Sequence, residues 1–314
     1  MNNTTKKSPA LCHKMLIIFI IVMVFGCAEK KKATLENSTH TQVDIGLITK
    51  HGQSVDSITT PLGYKVGDKL ITYEGPGWES QLVGYRLYLD GRNAIDVFGK
   101  KTADMILQQV GRGDDYHKMR PWGMDILKVG ASLGSGGFGV LEDDQAKQIG
   151  PARYYSAKIL RDNPQRSKVE VVHRQSQKCS GDITARYSIG SNTRLTRVEV
   201  GGRCRLPLVA GLVKHPKTKH FSQLKKETGW NYIARYGAQS LVPDNLGLAI
   251  FFKSEDVVAL GQDEDDDYII FKNHRNPDYF FAATWEQEPS GIRDVNEFEN
   301  WLKATLLELA KTSP

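Results

Sequence analysis

The sequence is short of cysteine, with four in 314 residues, and its 12 prolines and 29 glycines follow no repeat. So few cysteines exclude a disulfide-dense miniature scaffold, and the unpatterned glycines exclude collagen-like and glycine-linker classes. Charge of one sign is also scarce, because 42 Lys and Arg stand against 36 Asp and Glu, a net +6. No basic cluster interleaved with aromatics occurs, so a nucleic-acid partner is not expected. HExxH, HxH, CxxC and a Walker lysine are all missing. Neither a bound metal nor a nucleotide cofactor is therefore expected. What remains is ordinary globular composition, 40% hydrophobic and 25% charged.

Long apolar runs are nearly absent too. The one that stands out, Met15 to Phe25, follows Lys6, Lys7 and Lys14 and ends at Gly26-Cys27. As a helix it would span only about 16 Å, short of a hydrocarbon core of about 30 Å. A positive start, a short apolar core and a small residue before a processing point read as a secretory signal over residues 1–27. Val24-Phe25-Gly26-Cys27 resembles the bacterial lipobox, in which the cysteine carries lipid. The expectation is an exported protein in the periplasm or at the outer membrane, anchored through lipid on Cys27; an uncleaved membrane anchor is the alternative. Residues 28–57 are polar and include Lys30-Lys31-Lys32, which suits a tether. Cys12 would leave with the signal, so only Cys179 and Cys204 remain, and an oxidising compartment favours their pairing.

From residue 58 onward the pattern is that of short β-strands. Tyr154 to Leu160 and Lys168 to Arg174 flank Asp162-Asn163-Pro164 as a hairpin, and Ile183 to Ile189 and Arg194 to Val200 flank Gly190-Ser191-Asn192 as a second. Further strands are expected at 70–73, 85–89, 206–213, 230–236, 247–252, 268–273 and 279–285. Two helices are expected. Thr102 to Val110 has a capping threonine and a following glycine; Val295 to Lys311 has Asp294 before it and apolar residues at Phe298, Trp301, Leu302, Leu306 and Leu309. The fold class is therefore all-β, one large antiparallel sandwich over residues 58–314 with a C-terminal amphipathic helix. Gly134-Ser135-Gly136-Gly137-Phe138-Gly139 reads as backbone in close approach rather than a phosphate loop. Asp263 to Asp267 lacks the EF-hand glycine and glutamate and reads as a turn.

Polar aromatic segments are dense: Tyr73 to Ser80, Gly84 to Gly99, Asp114 to His117 with Trp122 to Asp125, and Trp285 to Pro289. Aromatic faces stack on sugars, while Arg, Asn and carboxylates take hydroxyl and acid groups. These segments, GPGWES, GYRLYLDGRNAIDVFGKKT, DDYHKMRPWGMDILKVGASLGSGG and TWEQEP, resemble a family of exported bacterial proteins encoded beside polysaccharide-degrading enzymes. The resemblance implies a galactose-mutarotase-like supersandwich of the polysaccharide-lyase kind. It also implies oligosaccharide dehydration, as in a branch that removes water from the terminal uronic acid of ulvan fragments.

Such chemistry needs a base for the C5 proton, an acid for the departing 4-hydroxyl, and a cation for the carboxylate. His117, with Asp115-Tyr116 before it, leads as catalytic residue, paired with His215 and assisted by Tyr116. Arg86 and Arg92 lead as carboxylate partners, each alternatively a salt bridge to Asp90 or Asp96. Trp78, Trp122, Trp285 and Glu288 complete the expected sugar contacts. Non-catalytic glycan binding, epimerisation, or hydrolysis by two of Glu74, Glu79, Glu286 and Glu288 are the other readings.

Overall fold

The computed structural model describes residues 1–2, 40–65, 67–225, 229–272 and 276–312, and the folded unit begins at His40. The expected signal and the Cys27 lipid site lie outside the described residues. One antiparallel sheet has nine strands, in the order Thr218–Gln223, Trp230–Ala238, Asn245–Lys253, Asp278–Trp285, Thr196–Gly201, Gly181–Gly190, Arg166–Ser176, Tyr154–Asn163 and Ser57–Thr59. A five-stranded sheet runs Thr41–Asp44, Gly77–Ser80, Val83–Leu87, Ile95–Lys100 and Gly123–Asp125. Another runs Gln145–Gln148, Ser135–Glu142, Leu208–Val213, Asp266–Phe271 and Val257–Gln262. A parallel bridge between Ile95 and Gly134 links these two.

Alternation decides which face is inside. In Gly181–Gly190, Ile183, Ala185, Tyr187 and Ile189 are buried while the residues between them are not. Tyr187 stacks on Trp78 at 4.8 Å, and Phe281 meets Tyr85 edge-on at 5.0 Å, so the large sheet and the five-stranded sheet that begins with Thr41–Asp44 (the site sheet) share one core. The far face of the large sheet is half covered by the helix Val295–Thr312. Phe298, Leu302 and Leu309 bury there against Ala234, Tyr236 and Phe251. Asp294 caps this helix, its Oδ1 accepting the Asn296 and Glu297 amides at 2.8 and 2.9 Å. The sandwich and the C-terminal helix are as the sequence implies.

Three local expectations are corrected. Residues 102–110 form turns and no helix, because the buried Glu79 carboxylate accepts the Ile106 and Leu107 amides at 2.8 and 2.9 Å. In the expected helix those amides would donate to the Thr102 and Ala103 carbonyls, and a charged acceptor outcompetes that alternative. Residues 70–73 are not a strand; a short 3-10 turn, Thr72–Glu74, lies there. The stretch expected as a tether over 28–57 is structured where it is described, since Thr41–Asp44 pairs with Gly77–Ser80 and buries Val43 and Asp44, while residues 28–39 lie outside the described residues. The glycine run is an interior strand, and a Cβ at Gly134 would lie 2.0 Å from the Ile95 carbonyl oxygen.

Cys179 and Cys204 are disulfide-bonded and buried. Peptide mapping after alkylation under denaturing, non-reducing conditions should find neither cysteine labelled. Replacing both by alanine should cost roughly 3 kcal/mol in urea unfolding, the chain-entropy value for a closed loop of this length.

Candidate functional site

The aromatic segments meet on the site sheet around Arg86. Arg86 lies in Val83–Leu87 directly opposite Asp96 of Ile95–Lys100, and Asp125 follows on the next strand. Tyr88 is two residues beyond Arg86. Only 1% of Arg86 is exposed. Its Nη2 lies 2.7 Å from Asp96 Oδ2, 2.8 Å from Asp125 Oδ2 and 2.8 Å from the Tyr88 hydroxyl. Nε donates to Asp96, and Nη1 donates to the Tyr73 carbonyl and the Tyr116 hydroxyl, both at 3.2 Å. Every guanidinium donor is thus engaged within the protein. Arg86 cannot take a substrate carboxylate; the salt-bridge alternative is the one observed.

Two buried carboxylates on one guanidinium leave a surplus negative charge. Burial, with Asp125 alongside, pushes the Asp96 carboxyl up to about 7 in spite of Arg86. Asp125 also holds the outermost member of the cluster, with His117 Nδ1 3.3 Å from Asp125 Oδ2. That hydrogen bond raises the His117 pKa above the ordinary histidine value. The His117 side chain is 56% exposed, so the pair offers one anchored nitrogen and one facing outward. The Tyr116 ring lies 4.4 Å from the imidazole. Tyr116 accepts from Arg86, and burial raises its pKa, so the hydroxyl stays protonated at neutral pH.

Arg92 differs from Arg86. Its guanidinium lies 3.8 Å over the Tyr88 ring, and its Nε and Nη2 bond to Asp90 while Nη2 also reaches Glu74. Its side chain is 21% exposed and its Nη1 donates to no group among the described residues. Glu74 and Tyr73 both hold left-handed φ angles, 68° and 42°. Such positions cost on the order of 1–3 kcal/mol each in non-glycine residues and gather at functional sites. The Tyr73 hydroxyl bonds to Asp44, which Arg112 holds at 2.8 Å, so the first strand underpins the turn.

His117, Tyr116, Arg86 and Arg92 are brought together; other expected site residues are not. Trp78 is wholly buried and its indole donates to Thr196 at 2.9 Å. Trp285 is buried and donates to Asp244 at 3.0 Å. Trp122 is 9% exposed and edge-on to Phe98. These are core aromatics, without an open face for a sugar. Glu288 is buried on Arg194 at 2.6 Å, and burial lifts its pKa to about 7. His215 sits beside the Lys128 backbone with burial lowering its pKa, and no hydrogen bond or ion pair joins it to His117. Conversely, Tyr88 and Asp125 belong to the cluster but were not among the expected site residues, while Glu74 was expected only as a hydrolytic carboxylate and Asp96 only as a salt-bridge partner. Their signal was present, since Tyr88 stands two residues from Arg86, and Asp96 and Asp125 lie within the same polar aromatic segments. Among the described residues, no group of three or more His, Cys, Asp and Glu side chains converges as a metal site.

A family model described as "Domain of unknown function (DUF4861)" matches residues 24–312. No curated protein matches the chain. A solved structure, of a candidate aldose 1-epimerase from Klebsiella pneumoniae subsp. pneumoniae, is similar at 7% identity and a TM-score of 0.41, covering 86% of this chain and 95% of that one.

The cluster makes two measurable demands. Asp125→Asn should lower the His117 pKa toward 6.5, followed by NMR titration of the imidazole; an unchanged value would show that the pair does not form. Arg86→Met should destabilise by about 3–5 kcal/mol, because it strands two buried carboxylates.

Proposed function

The chain belongs to the DUF4861 family, and from that premise we propose that it is an exported carbohydrate-active lyase, an oligosaccharide dehydratase. Its substrate would be the non-reducing-end uronic acid of an acidic polysaccharide fragment, ulvan-like or pectic, and its product a 4,5-unsaturated uronate. The observation that carries this reading is the half-exposed His117 anchored on buried Asp125, with Tyr116 and Arg92 in the same cluster.

With Nδ1–H donated to Asp125, the outward Nε2 of neutral His117 is the base that takes the C5 proton. The released electron pair forms the C4=C5 double bond as the C4–O bond breaks. The protonated Tyr116 hydroxyl gives its proton to the departing oxygen, which leaves as water. Each proton transfer contributes roughly 10²–10⁴-fold. Charge that builds on the substrate carboxylate is met by Arg92, whose uncommitted Nη1 can receive it. Export and a lipid anchor on Cys27 belong to the same proposal and rest on the N-terminal sequence pattern.

The unsaturated product absorbs in the ultraviolet, which gives a direct assay on ulvan, pectic, alginate and glycosaminoglycan fragments. His117→Ala should lower kcat on the order of 10²-fold with little change in KM. Arg92→Ala should worsen both constants, and Arg92→Lys should recover only part, because it keeps charge but loses the fork. A base must be unprotonated, so kcat should fall as pH drops through the raised His117 pKa, and Asp125→Asn should move that limb to lower pH. No new absorbance on any fragment, or a folded His117→Ala protein with undiminished rate, would refute the assignment.

A further inference from the structure

The outer face of the large sheet carries an open groove of about 820 Å³ beside the helix Val295–Thr312, whose Glu308 and Leu309 line part of it. Its floor is a registered row across five neighbouring strands. Phe280 lies opposite Arg197, Arg197 opposite Ser188, Ser188 opposite Lys168, and Lys168 opposite Arg161. At about 4.8 Å between strands the row is about 19 Å long, the scale of an oligosaccharide rather than a single sugar.

The charges are sorted by row. The adjacent row, Asp278, Glu199, Arg186, Glu170 and Lys158, carries three acids and two bases, and Arg186 pairs with Glu170 at 2.8 Å within it. The groove row carries three cations and no acid. Arg197 and Lys168 lean onto Asp278 and Glu199 of the neighbouring row at 2.6 and 2.7 Å. Exposed Arg161, and Arg166 beside it, have no acidic partner among the described residues. Leu160, Leu195, Phe280 and Leu309 supply apolar lining, Ser191 and Thr193 supply hydroxyls, and the acids Glu199 and Glu308 line the groove as well. Apolar patches for sugar faces, hydroxyls for sugar hydroxyls and unpaired guanidinium groups for acid substituents make one recognition chemistry.

We propose that this groove is a second, non-catalytic binding site for an anionic oligosaccharide chain, formed by Arg161, Arg166, Lys168 and Arg197 on the outer face of the nine-stranded sheet. The choice of a saccharide as the anion rests on the function proposed above, whereas the site itself rests on the groove. It would hold a long acidic chain on the protein while the His117 cluster works on an end.

Affinity electrophoresis of the whole protein through gels containing polygalacturonate, dextran sulfate or neutral dextran tests this. The two polyanions should retard the protein and neutral dextran should not, with retardation fading as salt rises. Arg161→Glu combined with Arg166→Glu should weaken retardation roughly tenfold. Both positions are exposed, and an unchanged Tm checks the fold. Retardation should survive in His117→Ala and Arg92→Ala. Undiminished retardation of the charge-reversed variant, or its loss only in Arg92→Ala, would overturn the groove. Equal retardation by neutral dextran, or equal competition by a single-stranded oligonucleotide, would overturn the saccharide assignment. Persisting retardation without any dehydratase activity would remove the proposed reaction and leave the groove standing.

Discussion

The buried guanidinium of Arg86 is the constraint around which the site is built. Withdrawing it from water is costly, and the cost is offset only if each donor finds an acceptor. Asp96, Asp125, Tyr88, Tyr116 and the Tyr73 carbonyl supply those acceptors, and they come from two strands and three connecting segments. One side chain therefore fixes the relative positions of groups up to 52 residues apart in sequence, from Tyr73 to Asp125. Geometry of this kind suits chemistry, because a proton-transferring group held by a saturated network keeps its orientation without help from a ligand. His117 gains that benefit at second hand, through Asp125.

Beneath Arg86 lie two further polar contacts that tie strands to turns. Lys100 and Glu79 form an ion pair with both side chains fully buried, and Glu79 spends its other oxygen on the 106–107 amides. Asp44 accepts from Tyr73, Ser54 and Arg112. Because Tyr73 gives its carbonyl to Arg86 and its hydroxyl to Asp44, its left-handed backbone is held at both ends. The strand Thr41–Asp44 is thus part of the site's foundation rather than a spacer before it.

Much of the fold was legible because a half-buried strand declares itself by alternation, as in Ile183, Ala185, Tyr187 and Ile189. The C-terminal helix was legible for the corresponding reason, its apolar residues recurring at three and four after a capping aspartate. The failures share a different cause: tertiary contacts overrode a local pattern. Residues 102–110 have a helix's signals, yet the carboxylate that claims their amides lies more than twenty residues upstream. Thr41–Asp44 is too short and polar to alternate visibly, and only its partner strand gives it a place. At the site, sequence located the right segments but not the right atoms. An indole that stacks on sugar and one that stacks on Tyr187 have the same letter, and Trp78 and Trp285 proved to be the second kind. A guanidinium waiting for a carboxylate and one already holding two are equally indistinguishable, which is why Arg86 and Arg92 read alike in the sequence although only Arg92 keeps an uncommitted donor.

The two faces of the molecule divide charge in a way that bears on an acidic substrate. Around His117 the acids Glu74, Asp90, Asp96 and Asp125 outnumber the bases Arg86 and Arg92, so the uronate proposed as substrate would meet a field that is negative on balance. Protonation of Asp96, whose pKa lies at about 7, relieves part of this near neutrality. Arg92 supplies the remaining attraction locally, standing over Tyr88 with donors to spare. A site so constituted gains little from long-range attraction and depends on contact at one guanidinium. The outer groove has the opposite balance, its bases Arg161, Arg166, Lys168 and Arg197 outnumbering the acids Glu199 and Glu308. Capture of a polyanion and chemistry on its terminal sugar place conflicting demands on charge: capture wants unpaired cations, whereas a general base wants a carboxylate behind it. On the proposed reading, separate surfaces for the two tasks would let the Arg86 network keep its acids, and with them the hold on His117.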